Sequence, residues 1–300
     1  MQGFNNPGLL AASAAGLISA LLMLWALRGL PLGGALLWLA PAPLFSVGLA
    51  FGPAGAALAG LLGAAVVGLS SSVMGLVFYA LLFAVPAWLL VALFLRQAAP
   101  NVSAPVAALG LYPVAILLAL SLYFANEGGL EAVLRGAVEH ATRRMGLMLP
   151  DGMIEAVVRV KAAAVGFWLA VTAIGNAALA QGFLRRQGLN MANAPDLADA
   201  RMPGWYLVLV LLAGGAFAVL GDAVTLSILL LLMLPFFLMG IGSVHKRVRG
   251  ARGRVWVLAG FYTLMLIFLQ IMAPAMVGMG LYEQWARRPG LGTPTPPPHT

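Results

Sequence analysis

The chain has 300 residues, 62% of them hydrophobic and only 9% charged, with a mean hydropathy of +0.98. A soluble domain carries about a quarter charged residues, so an ordinary soluble fold is excluded. The formal charge is +8 and there is no cysteine, which excludes disulfides, thiolate metal sites and cysteine nucleophiles and leaves the redox compartment open.

A membrane-spanning helix needs about 20 largely apolar residues. The apolar runs here supply eight or nine spans, nearly the whole chain. The expected fold is an all-α, polytopic integral membrane bundle of 8–9 transmembrane helices plus one interfacial amphipathic helix. The first run, 9–27, is closed by Arg28. No basic stretch precedes it, so it reads as a retained span rather than a cleaved signal. The second, 32–49, carries Pro41 and Pro43. Two prolines two apart remove two backbone donors and kink or break a helix. In a membrane this is tolerated where neighbouring helices or a water-lined cavity satisfy the freed carbonyls.

Gly52-Pro53 turns the chain into a third run in which Gly52, Ala56, Gly60, Ala64, Gly68 and Ser72 recur every fourth residue. Positions four apart share a helix face, and a face of small side chains lets another helix approach closely. The alternative is simply a helix rich in small residues. The fourth run, 73–95, is expected to kink at Pro86 and stops at Arg96. A polar link, 97–105, leads to the fifth, 106–124, with Pro113 near its start.

From Leu130 the apolar residues Val133, Leu134, Ala137, Val138, Ala141 and Met145 recur at helical spacing. Glu127, Glu131, Arg135, Glu139, His140, Arg143 and Arg144 occupy the other face, with favourable four-apart pairs at Glu131–Arg135 and Glu139–Arg143. This predicts a helix lying on the membrane surface. Spans follow at 162–184, 205–220, 223–241 and 255–281, the last broken near Pro274. By chain order this gives an N-terminal bundle (1–125), an interfacial helix and turn (126–152), a C-terminal bundle (153–288) and a disordered Pro/Thr-rich tail (289–300).

Basic residues concentrate on one side of these spans. With the N-terminus in the cytoplasm, Arg96, Arg185, Arg186, Arg201 and the run His245, Lys246, Arg247, Arg249, Arg252 and Arg254 lie inside. Arg28 and the pair Arg287-Arg288 are exceptions, the latter removed if the last span turns back. The basic residues sit at span ends, so membrane orientation explains the positive charge and nucleic acid is not expected as a partner. The 245–254 run also has a second reading, as a docking surface for a cytoplasmic or envelope partner. Trp205, Tyr206, Trp256, Tyr262, Tyr282 and Trp285 fit interfacial aromatic belts.

Catalytic patterns are missing: the sequence has no phosphate-binding loop, no His-Glu-x-x-His pair and no nucleophile elbow. His140, His245 and His299 have no neighbours at metal-ligand spacing. No enzyme activity, metal or cofactor is expected. No Asp, Glu, Lys or Arg lies near the middle of a span, which argues against an acidic proton relay. The intramembrane polar groups are Tyr79, Thr172, Asn176, Gln181, Thr263 and Gln270. A buried amide needs a partner. Two readings stay open: interhelical hydrogen bonding, or a ligand cavity lined by Asn176, Gln270 and the Pro41/Pro43 break.

Pro41-Ala42-Pro43-Leu44, the small-residue third run, the stretch from Pro235 to Gly242 and the final Gly280-Leu281-Tyr282-Glu283-Gln284-Trp285-Ala286-Arg287-Arg288 together resemble the YybS-like family of bacterial membrane proteins. The resemblance covers roughly 9–288. That family has no assigned activity. Its N-terminal part is similar to the substrate-binding S components of energy-coupling-factor transporters, which work with a separate coupler and ATPases. The resemblance implies a bacterial inner-membrane protein, either a transporter-like or solute-binding component for a small, weakly charged ligand or, alternatively, a non-transporting scaffold. Its partners would be the lipid bilayer and other membrane or cytoplasmic subunits. Six spans are usual for S components, and the additional C-terminal spans depart from that pattern.

Overall fold

The computed structural model describes residues 6–96, 101–189 and 197–286. The Pro/Thr-rich tail, Arg287-Arg288 and parts of the two polar links lie outside them. Regular structure among the described residues is entirely helical. Seven helical segments are long and apolar enough to cross a membrane, and a bent pair makes up to eight; a further apolar helix has 17 residues. The chain is an all-α, multi-pass membrane protein.

Packing divides the chain into two compact units that do not follow chain order. The first holds α1 (Pro7–Leu27), α2 (Gly33–Leu39), α3 (Ala42–Phe51), α4 (Pro53–Ser70), α5 (Val73–Tyr79) and α6 (Val85–Phe94). It is completed by the later part, from Val165 on, of a helix that begins in the second unit. The fifth run, α7 (Ser103–Tyr123), packs mainly in the second unit from Val106 onward. An N-terminal bundle of the first five spans is therefore not the unit that packing defines.

In the first unit, α4 is the central helix. Gly52 takes φ +86° with ψ 177°, an extended positive-φ conformation open mainly to glycine, and Pro53 then begins the helix. The buried positions of α4 are Ala56, Ala59, Gly60, Gly63 and Val67. A Cβ on Gly16 of α1 would lie 2.5 Å from the Ala59 carbonyl oxygen, so these backbones touch as small residues in a membrane allow. A Cβ on Gly60 would lie 3.0 Å from that of Ala84. Ala56 and Gly60 belong to the every-fourth-residue stripe, but Gly52, Ala64 and Gly68 are half-buried and Ser72 is exposed. The reason is the helical repeat: a strict step of four drifts about 40° around the axis each time, so a packed face follows mixed steps of three and four. Ser72 instead caps α5, its hydroxyl accepting from the Gly75 N–H. Ahead of Pro86 the fourth run opens into a π turn, Ala80–Ala84, where the Val85 N–H donates to the Ala80 carbonyl five residues back.

The second unit contains α7 from Val106, α8 (Gly129–Arg144), the start of α9 (Asp151–Arg186), α10 (Gly204–Leu220), α11 (Ala223–Arg247), α12 (Arg254–Ile267) and α13 (Leu269–Ala286). The amphipathic α8 forms as the pattern requires, and Glu139 pairs with Arg143 at 3.9 Å. Its Leu134 and Val138 pack on Ile154 and Val158 at the start of α9. This helix begins at Asp151, the residue whose type suits a helix start, well ahead of the apolar span expected at 162–184, and its 36 residues are about 54 Å long. Hydropathy missed the first turns because they are amphipathic: Ile154 and Val158 are buried while Glu155 and Arg159 are exposed.

The last run also differs from expectation. The chain bends by 118° between α12 and α13, at Phe268 rather than at Pro274, which sits exposed inside α13. What fixes the turn is the seat of α13 on α11. A Cβ on Gly240 would collide with the Met276 carbonyl, and one on Gly280 with the Phe236 carbonyl. The two helices run in the same direction, and Arg247 near the end of α11 meets Glu283 near the end of α13 at 3.2 Å.

Candidate functional site

The break between α2 and α3 is where the two prolines act. Its freed carbonyls are taken by side chains from other helices of the first unit. The Ser19 hydroxyl of α1 donates to the Ala40 carbonyl at 2.6 Å and accepts from the Tyr79 hydroxyl at 2.8 Å. The Asn176 amide of α9 donates to the Trp38 carbonyl at 2.7 Å and to the Thr172 carbonyl at 2.7 Å. Ser19 and Tyr79 are fully buried, and Asn176 is 2% exposed. Aromatic rings close over this chain, with Trp38 and Trp168 edge-to-face at 5.5 Å and Tyr79 and Phe83 at 6.0 Å. Each such buried bond in a membrane contributes about 0.6–2 kcal/mol. Asn176 therefore acts as an interhelical hydrogen-bond donor; its Oδ1 has no partner.

Beside the break, α1, α3 and the C-terminal end of α9 leave an open cleft of about 790 Å³. Ala14, Ile18, Pro43, Val47, Gly182 and Phe183 are among its walls. Ser46 lines it too, but its hydroxyl donates to the Ala42 carbonyl of its own helix at 2.9 Å. The charged residue of the lining is Arg186. Of the residues expected to form a ligand cavity, Pro43 lines the cleft, Pro41 is buried at the break, and Asn176 is committed to the Trp38 carbonyl. Gln270 is exposed on α13 of the second unit. Arg186 and Ser46 escaped sequence reasoning, the first because a basic pair after an apolar run reads simply as a stop signal.

The basic run is helix as well as loop. His245, Lys246 and Arg247 form the last turn of α11, where cations complement the helix dipole. His245 Nε2 lies 2.7 Å from the Tyr262 hydroxyl. Lys246 pairs with Asp199 at 3.1 Å, and Arg247 with Glu283. Arg249, Arg252 and Arg254 are exposed. Nearby, the Gln284 amide donates to the Met202 carbonyl at 2.6 Å and accepts from the Met202 N–H at 3.1 Å, tying the chain before α10 to α13. At the opposite end of α11, Asp222 caps the helix, accepting from the Val224 and Thr225 N–H groups. Burial raises its pKa, but the bonds from Thr225 and Val224 outweigh it and hold the carboxyl below its usual value. No group of three His, Cys, Asp or Glu among the described residues is placed to hold a metal ion.

No family model, curated protein or solved structure matches the chain. Several of the prolines and glycines singled out in the sequence have physical work in the fold. Pro41 and Pro43 make the break, while Phe236, Gly240 and Gly280 form the α11–α13 crossing.

Proposed function

We propose that this protein is a transporter-like or ligand-binding component of the bacterial inner membrane, taking a small, weakly charged ligand into the cleft between α1, α3 and α9. The observation that carries this reading is the cleft itself. Its volume of about 790 Å³ falls within the range of small-molecule sites. The broken span beside it is held rigid by Ser19 and Asn176 rather than left to solvent. The scaffold reading has less to rest on, because Lys246 and Arg247 are already engaged by Asp199 and Glu283.

The N-terminus belongs to the cytoplasm in this proposal. Because α13 ends beside the end of α11, Ala286 lies on the side of the basic run, the side to which the charge rule assigns cations. Reporters fused after Arg254 and after Ala286 should both read cytoplasmic; a periplasmic signal at either overturns this topology. The ligand is tested by purifying the tagged protein from native membranes and identifying co-purifying small molecules and proteins by mass spectrometry. A retained, weakly polar compound supports the reading. Partner proteins without any retained compound would replace it with the scaffold.

A further inference from the structure

Resting on that cleft reading and going beyond it, we propose that in the absence of the small ligand the cleft holds a lipid with an anionic headgroup, its chain lying along α1, α3 and α9 within one leaflet and its headgroup on Arg186. Asn176 bonds Trp38 at the break, so α9 enters the cleft there and leaves it at Arg186, toward the end where Gly8 of α1 meets the Phe51 ring of α3. The distance from Ala178 to Arg186 along α9 is about 12 Å. One leaflet of a hydrocarbon core is about 15 Å deep. The cleft thus runs roughly from the membrane midplane to its surface.

The chemistry of the walls selects among occupants. They are almost wholly apolar, and the Ser46 hydroxyl is spent on the Ala42 carbonyl. A polar solute would lose its water there without gaining bonds. A hydrocarbon chain loses nothing, and a phosphate at the mouth gains the Arg186 guanidinium, whose planar fork suits phosphate oxygens. Charge at one end and apolar wall along the rest matches an anionic lipid and no uniformly apolar partner.

The test uses the full-length protein reconstituted with equal amounts of phosphatidylglycerol and phosphatidylcholine, extracted into mild detergent, with retained lipid counted by native mass spectrometry. The wild type should retain phosphatidylglycerol in preference. Arg186→Gln should lower that preference roughly tenfold, the weight of one charge-assisted bond. Arg185→Gln removes an adjacent cation that is not in the lining and should leave it unchanged. A Cβ at Gly182 meets nothing within 4 Å, so Gly182→Phe fills the cleft without straining the fold and should abolish retention of both lipids. Unaltered melting of this variant checks its folding. Equal retention of the two lipids by the wild type, or an equal loss of preference in both arginine variants, overturns the headgroup assignment. If Gly182→Phe empties the cleft while Arg186→Gln changes nothing, the cleft reading stands and this inference falls. If Gly182→Phe retains lipid like the wild type, both fall.

Discussion

Replacing Gly16 by alanine adds one methyl group at the closest approach of α1 and α4. That methyl would lie 2.5 Å from the Ala59 carbonyl oxygen and 3.2 Å from the Gly63 nitrogen, both backbone atoms that cannot swing aside. Relief requires the helices to part by nearly 1 Å, and a gap of that size forfeits about a quarter to a half of each contact it opens. Overpacking of this kind costs about 1–3 kcal/mol, against which alanine returns about 1 kcal/mol of helix propensity. The net expectation is a loss of about 0–2 kcal/mol. Gly175→Ala on α9 is the matched control, since its new methyl meets nothing within 4 Å. It should stabilise by about 0.5–1 kcal/mol. Reversible unfolding in mixed detergent micelles reads both. A Gly16→Ala protein as stable as the Gly175→Ala one would refute the close approach of α1 and α4.

Other expectations follow from the same contacts. Gly60→Leu should destabilise strongly against Ala84, whereas Gly68→Leu meets only the flexible Leu76 side chain and should cost less; thermal melting in detergent ranks them. Ser19→Ala strands both the Ala40 carbonyl and the Tyr79 hydroxyl, so it should cost more than Tyr79→Phe, which removes one bond of about 1 kcal/mol. Asp222→Ala removes the α11 cap and should cost about 1 kcal/mol. Because the folded pKa of Asp222 is lowered, its contribution is full above the unfolded value of about 3.9 and is lost as pH falls through the lower folded value. Asp222→Asn should flatten that acid limb in a pH series of melting temperatures.

The apolar runs made the helices legible because length and hydropathy are properties of each segment alone. The ends of α1, α7, α10 and the start of α11 fall within a few residues of the sequence expectation. Interactions between segments were not legible in the same way. The turn at Phe268 has no proline or glycine to announce it; it is fixed by Gly240 and Gly280, which read only as part of a common membrane vocabulary. The packed face of α4 contains Ala59 and Gly63, off the strict stripe, because the partner helices select it. At the site, Pro43 and the need to satisfy freed carbonyls were readable, but which donors would serve them was not. Ser19 lay unnoticed in the first run, and Gln270, chosen for its amide alone, faces outward.

The pairing of Trp38 with Asn176 bears on how the protein is made. These residues are 138 apart in the chain, and ribosomes add about 5–20 residues per second, so the Trp38 carbonyl waits about 7–28 seconds for its donor. During that interval the nascent bundle holds an open backbone bond inside the bilayer. A translation product that stops before α9 lacks the last wall of its own first unit, and it should be a ready substrate for membrane quality-control proteases.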